Sequence, residues 1–357
     1  MRKIYKGEKE MLNVNIAGFY DTGASAAIDL LREFEKVEYV NENEFQFFNY
    51  GLLDLENVIC NNFHPLAISE AIRRYNDLSK YYSKYGIYGY PLDSKKLFNG
   101  YFIERTEMFI NSICIEEKRI YLESVFYQNN KIETFVRRLV RRIFLKLCRV
   151  INIITNEKLK KILEVVILEK IYSKNFYIIK DKEIFKKELE KYINDLFKFL
   201  NQKNKETEVF IYDQLLSMDG MVKNRNRIKN LKSIYVDRDP GDMFLSFRET
   251  NNKIAPLEVD KFIEWYKSMR NHILYGKNDE QILFIKFEDL IYDYEATVNK
   301  ITKFLKIENF QHINAKKYFK KEISIRNTQK FKNNFKYKNE IERIEKELEE
   351  YCYKKYF

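Results

Sequence analysis

The chain has 357 residues, 45% hydrophobic and 33% charged, long and apolar enough for a substantial core and too apolar for a disordered polymer. Its formal net charge of +11 favours anionic partners such as nucleotides, acidic glycans, nucleic acid or an anionic bilayer, discounted for a Lys, Asn and Ile excess typical of an A+T-rich genome. Cys60, Cys114, Cys148 and Cys352 lack CxxC spacing, and His64, His272 and His312 do not cluster, which predicts reduced thiols and argues against a metal site.

The N-terminal "MRKIYKGEKEML" lacks the apolar core of a signal peptide, and no stretch reaches the roughly 18 apolar residues of a membrane span. The sequence therefore predicts a cytoplasmic protein, with any membrane contact peripheral. Residues 13–19, "NVNIAGF", read as a buried strand. The turn that follows, Gly18-Phe19-Tyr20-Asp21-Thr22-Gly23-Ala24-Ser25-Ala26, has the outline of an anion-binding loop. Peptide N–H groups of 19–25 can converge on a phosphate at the start of the helix opened by Ala26. Gly18 and Gly23 allow close approach, and Thr22 and Ser25 add hydroxyl donors. No GxxxxGK[ST] or GxGxxG pattern is present, so a plain strand-to-helix turn is the alternative. Asp21 stands where such a loop usually carries a cation.

Residues 40–51, "VNENEFQFFNYG", place Glu44 among other loop carboxylates. From about 60 to 205 the pattern is almost wholly helical, with clear periodicity over 67–85 and 182–202. It reads as a helical insertion within one α/β domain; a separate helical domain is the alternative, and no Gly/Ser/Pro linker marks one. Within it, "FVRRLVRRIFLKLCRVINII" (135–154) is a basic amphipathic helix. It suits an anionic bilayer or an acidic polymer; the alternative is a surface helix packed on the core with a solvated basic face.

Strands are predicted at 208–214, 231–239 and 282–290, and alternation with helices predicts an α/β fold with a central parallel sheet flanked by helices. "SIYVDRDPGDMFLSF" (233–247) ends a strand at Asp237, then sets Arg238 before a Pro240–Gly241 turn and a helix carrying Ser246. Arg238 and Ser246 can face one anion, which a guanidinium meets with two parallel hydrogen bonds. The alternative pairs Arg238 with Asp237, Asp239 or Asp242. Glu288 is expected to fix a loop by accepting backbone hydrogen bonds. "SIRNTQKFKNNF" (324–335) offers Arg326, Lys330 and Lys332, either to phosphates or to solvent. The tail 339–357 predicts an amphipathic helix with Ile341, Ile344, Leu348 and Tyr351 on one side.

The loop at 15–31, the Arg238–Ser246 pair and "ILFIKFEDL…ITKFLKI", in this order, resemble the sulfotransferase family, over residues 13–50 and 208–335. That resemblance implies one P-loop-like α/β domain spanning 1–357 and a sulfuryl group transferred from 3′-phosphoadenosine 5′-phosphosulfate (PAPS). It implies that Gly18–Ala26 hold the 5′-phosphosulfate and that Arg238 and Ser246 hold the 3′-phosphate. Arg326 and Lys330 would lie in the segment that closes over the nucleotide. Around Glu44 the chain is similar to heparan sulfate O- and N-sulfotransferases, which implies Glu44 as general base and a glycan or glycolipid acceptor. Asp213 is the rival base. No metal and no nucleic-acid partner is implied. The family's loop has Lys or Arg at the position of Asp21. Three resolutions are open: Lys330 or Arg326 supplies the charge while Asp21 orients it, Asp21 points away, or the protein is a degenerate member that binds nucleotide or polysaccharide without catalysis.

Overall fold

The computed structural model describes residues 11–40, 48–84, 100–120, 173–201, 206–271, 279–333 and 335–354, with 135–136, 138–140, 142–143 and 146. Glu44, Cys148 and His272 lie outside the described residues. The elements used below are strands β1 (Leu12–Gly18), β2 (Val37–Tyr39), β3 (Cys114–Ile120), β4 (Lys174–Ile179), β5 (Val209–Asp213), β6 (Leu231–Asp237) and β7 (Ile282–Lys286). The helices are α1 (Ala24–Leu31), α2 (Pro65–Lys84), α3 (Tyr101–Ile113), α4 (Lys182–Asn201), α5 (Pro240–Thr250), α6 (Val259–Arg270), α7 (Tyr294–Leu305) and α8 (Lys338–Glu347).

Two compact units divide the chain: 1–50 with 81–102 and 190–357, and 51–80 with 103–189. In the first, five strands form one parallel sheet in the order β2-β5-β1-β6-β7. This is the α/β fold with a parallel sheet that alternating strands and helices predict. β1 is central and buried along nearly its whole length, which is why it reads as apolar rather than alternating. Its two buried amides are satisfied across the sheet. Asn15 Nδ2 donates to the Leu216 carbonyl at 3.1 Å, and Asn15 Oδ1 accepts from the Leu216 N–H at 3.1 Å. Asn13 Oδ1 accepts from the Tyr212 hydroxyl at 3.2 Å. The core between sheet and helices holds Val14, Ile16, Ile28, Leu31, Ile211, Ile234, Val236, Ile285 and Leu305.

The register aligns Gly18 with Val236 and Asp237 with Lys286. The loop after β1, Arg238 after β6 and Phe287 after β7 therefore emerge together at the C-terminal edge of the sheet, where open α/β sheets take their ligands. Under that edge buried Asp237 pairs with two cations: buried Arg270, whose Nη2 lies 2.6 Å from Oδ1, and part-exposed Lys286, whose Nζ lies 2.9 Å from Oδ2. The Arg270 guanidinium stacks on the Tyr266 ring, 3.3 Å from its centre.

The tail confirms its predicted face, with Ile341, Ile344, Leu348 and Tyr351 all buried. The helix ends earlier than the pattern suggests, at Glu347. The chain then turns inward, and the Tyr353 N–H donates to Asp239 Oδ2 at 2.9 Å.

The second unit corrects the almost wholly helical reading of 60–205. β3 and β4 pair antiparallel. β3 is "CIEEKRI", exposed through its centre, so it has no apolar alternation to read. β2 was missed too; it is a three-residue edge strand. α2 and β4 are tied where the Tyr177 N–H donates to Ser69 Oγ at 3.0 Å. No helix among the described residues is long and apolar enough to cross a membrane.

Candidate nucleotide-binding cleft

A cleft of about 520 Å³ opens at the C-terminal edge of the parallel sheet. Of the predicted loop residues, Asp21, Gly23, Ser25 and Ala26 line it; Arg238, Ser246 and Lys330 line it from the far side of the chain. Gly18, Phe19, Tyr20, Thr22, Ala24 and Arg326 are not among its lining residues.

Backbone geometry explains the loop composition. Gly23 is the N-cap of α1 with φ +84°, a left-handed value that favours glycine. A Cβ there would sit 2.4 Å from the Phe287 ring. At Gly18 a Cβ would meet Thr22 Oγ1 at 2.1 Å and the Val236 carbonyl at 2.8 Å. Thr22 is not a donor to the cleft, as its residue type suggests. It is buried, and its hydroxyl donates to the Phe19 carbonyl at 2.8 Å, closing the turn. Phe19 is a core ring, edge-on to Tyr235 at 6.4 Å.

Asp21 has φ +58°. Among residues with a side chain, Asn and Asp tolerate that region best, which gives the carboxylate a backbone reason to be there. Its carbonyl accepts from Arg238 Nη1 at 2.9 Å, and the residue is exposed. Lys330 has a carboxylate other than Asp21 beside it. Its ammonium pairs with Glu249, while its N–H donates to Asp242 Oδ1 at 2.7 Å. Arg326 is exposed and off the cleft. Lys320, which the sequence reading passed over in the run "HINAKKYFKKEIS", does line it.

Arg238 is buried, and Nη2 donates to Ser246 Oγ at 3.1 Å and to the Asn327 carbonyl. Its three neighbouring carboxylates are engaged elsewhere. Asp237 holds Arg270 and Lys286. Asp239 caps α5, accepting from Gly241 and Asp242. Asp242 accepts from the N–H groups of Gln329 and Lys330 at 2.8 and 2.7 Å. The guanidinium thus reaches the cleft with carbonyl and hydroxyl partners, and its buried Nε has no hydrogen-bond partner. A buried guanidinium beside a helix N-terminus has the donors to meet an anion.

Glu288 behaves as expected: Oε1 accepts from the Asp239 N–H at 2.8 Å. Burial pushes its carboxyl up to about 8 from a usual 4.5, and Asp242, also buried, up to about 6. Between pH 4.5 and 8 the folded chain holds the Glu288 proton and the unfolded chain does not, so stability falls as pH rises through that window. Glu288→Gln keeps an acceptor oxygen and removes the titration. Its melting temperature is expected to stay closer to its pH 7 value at pH 9 than the wild type's; a parallel decline in both proteins would refute the assignment.

The other wall is built on Glu33, which the sequence reading did not single out. Its buried carboxylate accepts from the N–H groups of Lys316, Tyr318 and Phe319 at 3.0, 2.9 and 2.9 Å, and lies 2.7 Å from His312 Nε2. This holds Tyr318, Phe319 and Lys320 on the cleft. Asp213, the rival base candidate, ends β5 and is not a lining residue.

Residues 225–356 match the model of the sulfotransferase domain. That span holds Arg238, Ser246, Arg326 and Lys330 and begins after the 18–26 loop. An amine sulfotransferase from Oryctolagus cuniculus is 33% identical over 95 residues, 22% of this chain and 31% of that protein. The aligned stretch thus spans about a third of the curated relative. Among solved structures, mouse sulfotransferase SULT7A1 complexed with PAP shares 22% identity over 38% of this chain and 50% of that one, with a TM-score of 0.25.

Proposed function

We propose that this protein is a PAPS-dependent sulfotransferase acting on a hydroxyl or amine of a glycan or glycolipid. The observation that carries the reading is the Arg238–Ser246 pair, 3.1 Å apart, facing the same cleft as the 21–26 loop and lying within the stretch similar to the sulfotransferase domain. The site suits the nucleotide: the unpartnered Arg238 Nε–H can donate to a phosphate oxygen, and Gly23 lets the loop turn tightly at the start of α1. PAPS would supply the sulfuryl group.

In this reading Arg238 and Ser246 hold the 3′-phosphate. The α1 N-terminus and the Ser25 hydroxyl face the 5′ end. Lys320 contributes positive charge, and Lys330 contributes it on leaving Glu249. The exposed carboxylate of Asp21 stays toward solvent while its carbonyl positions Arg238. In-line group transfer of this kind depends on positioning and charge stabilisation. Glu44, outside the described residues, takes the acceptor proton.

Calorimetric titration of 3′-phosphoadenosine 5′-phosphate (PAP) into the full chain tests the reading, with binding expected in the micromolar range; no heat at millimolar PAP would overturn it. Glu44→Gln is expected to bind PAP as the wild type does and to lose sulfate transfer, and unchanged turnover would remove Glu44 as base. Two other readings have an observation behind them. The curated relative's name favours an amine acceptor, which competition between amine and glycan substrates would decide. Asp21 in the cation's place favours a non-catalytic binder, which PAP binding without transfer to any acceptor would support.

A further inference from the structure

Among the described residues three cations line the cleft, Arg238, Lys320 and Lys330, and two of them are committed. Arg238 donates to the Asp21 and Asn327 carbonyls and to Ser246 Oγ. Lys330 pairs with Glu249 on α5, the helix that also carries Ser246. The Lys320 ammonium has no hydrogen bond or ion pair with any described residue. Its backbone, by contrast, is fixed on both sides. The N–H groups of Tyr318 and Phe319 each donate to Glu33 at 2.9 Å, and the Phe319 ring stacks on Tyr294 with centres 5.9 Å apart. The Lys320 carbonyl accepts from the N–H groups of Ile323 and Ser324 at 3.0 Å each. Glu33 follows the end of α1 by two residues, so the wall carrying Lys320 is tied to the helix that the loop opens. Two carboxylates line the cleft. Asp29 pairs with Arg32 at 3.1 Å, and Asp21 forms no ion pair with a described cation.

We propose that Lys320 replaces the cation missing from the 18–26 loop and binds the 5′-phosphate end of the nucleotide. This assignment rests on the nucleotide reading of the cleft. A 5′-phosphate brings its negative charge to a loop that already carries the Asp21 carboxylate, and like charges close together in a part-buried cleft repel. Peptide N–H groups and the Ser25 hydroxyl offer dipoles there, without a full positive charge. An ammonium on the facing wall supplies one. A lysine suits the task, because its flexible four-carbon stem can swing to a phosphate from a fixed backbone. The anchors divide the two lysines between the two ends of the ligand. Lys320 stands on the wall tied to α1, whose N-terminus faces the 5′ end. Lys330 stands beside α5, with Arg238 and Ser246 at the 3′ end.

The test titrates the full chain with PAP, adenosine 5′-phosphate and adenosine 3′-phosphate by calorimetry. Lys320→Ala is expected to weaken PAP and adenosine 5′-phosphate by about tenfold at low salt, and by less at high salt. Adenosine 3′-phosphate should bind this variant as it binds the wild type. Lys320→Arg should keep most of the affinity. Lys330→Ala should show the opposite pattern, weakening the 3′-phosphate ligand and sparing the 5′. Returning a cation to the loop should rescue the loss, so Lys320→Ala/Asp21→Lys is expected to bind adenosine 5′-phosphate more tightly than Lys320→Ala. The backbone admits lysine at position 21: Lys36, Lys306 and Lys316 have φ of +58, +62 and +65°, beside +58° for Asp21. Melting temperatures equal to that of the wild type confirm that the variants are folded. A Lys320→Ala protein that binds all three ligands unchanged, or loses the 3′- and 5′-phosphates equally, overturns the assignment and leaves the nucleotide reading standing. So does a double variant that recovers nothing. A wild-type chain that ignores millimolar PAP overturns the nucleotide reading itself.

Discussion

Arg238→Ala is expected to weaken PAP binding by about 100-fold or more. The side chain offers a charged, forked donor from a buried position, and hydrogen bonds to charged groups contribute about 1.5–3 kcal/mol each. It also bridges three segments of the cleft, taking the carbonyls of Asp21 and Asn327 and the hydroxyl of Ser246. Its removal leaves two carbonyls without that donor, so unfolding free energy should fall by about 1–3 kcal/mol. Arg238→Lys separates the two effects, since it retains charge and loses the fork; PAP affinity between wild type and Ala is expected. Ser246→Ala should cost about tenfold, the weight of one neutral hydrogen bond. Calorimetry on folded variants decides the matter: an Arg238→Ala protein that binds PAP like the wild type would take the nucleotide out of this cleft.

Glu33→Ala should cost about 3–5 kcal/mol of stability, in the range reserved for broken buried networks. Three backbone N–H groups and His312 converge on one fully buried carboxylate. An alanine strands the N–H groups of Lys316, Tyr318 and Phe319 and leaves His312 without this carboxylate. The neighbouring contacts reinforce the latch: His312 stacks on Phe34 at 4.4 Å and the Arg32 guanidinium lies 4.4 Å from the Tyr318 ring centre. Urea unfolding would show a lower midpoint with an unchanged slope. Glu33→Gln, which keeps one acceptor oxygen, should fall between. Because Tyr318, Phe319 and Lys320 line the cleft, PAP affinity is expected to fall along with stability. A loss below about 1 kcal/mol in Glu33→Ala would show that the wall stands without its carboxylate.

The pattern of legible and illegible features follows from range. The four longer strands of the parallel sheet were visible because each is a short apolar run bounded by turn residues. Their ends moved by one to four positions, most at β7, where "FEDL" continues the pattern but turns away to cap Asp239. Arg238 and Ser246 were legible because a strand exit and a helix face set their spacing within eight residues. β3 was hidden by its glutamates and lysine, since a charged two-stranded ribbon needs no apolar alternation. Asp21 was misleading, because a residue-by-residue comparison assigns a position by its side chain, and here the backbone conformation and the carbonyl do the structural task.

By itself the sequence determined the α/β fold, the anion-binding outline of the loop, the Arg–Ser pair and the apolar face of the tail, all of which depend on period or spacing along a few turns of chain. Only the tertiary structure decided which charges meet. Asp21 lies 217 positions from the guanidinium that grips its carbonyl, and Tyr318 lies 285 positions from the carboxylate that holds its N–H. Asp237, Asp239 and Asp242 look alike in "DRDPGD", yet one pairs with Arg270 and Lys286, one caps a helix and one anchors residues 329–330. Electrostatic pairing depends on distance in space and on burial, neither of which has a local signature. That pairing is what leaves Arg238, alone among its acidic neighbours, to face the cleft.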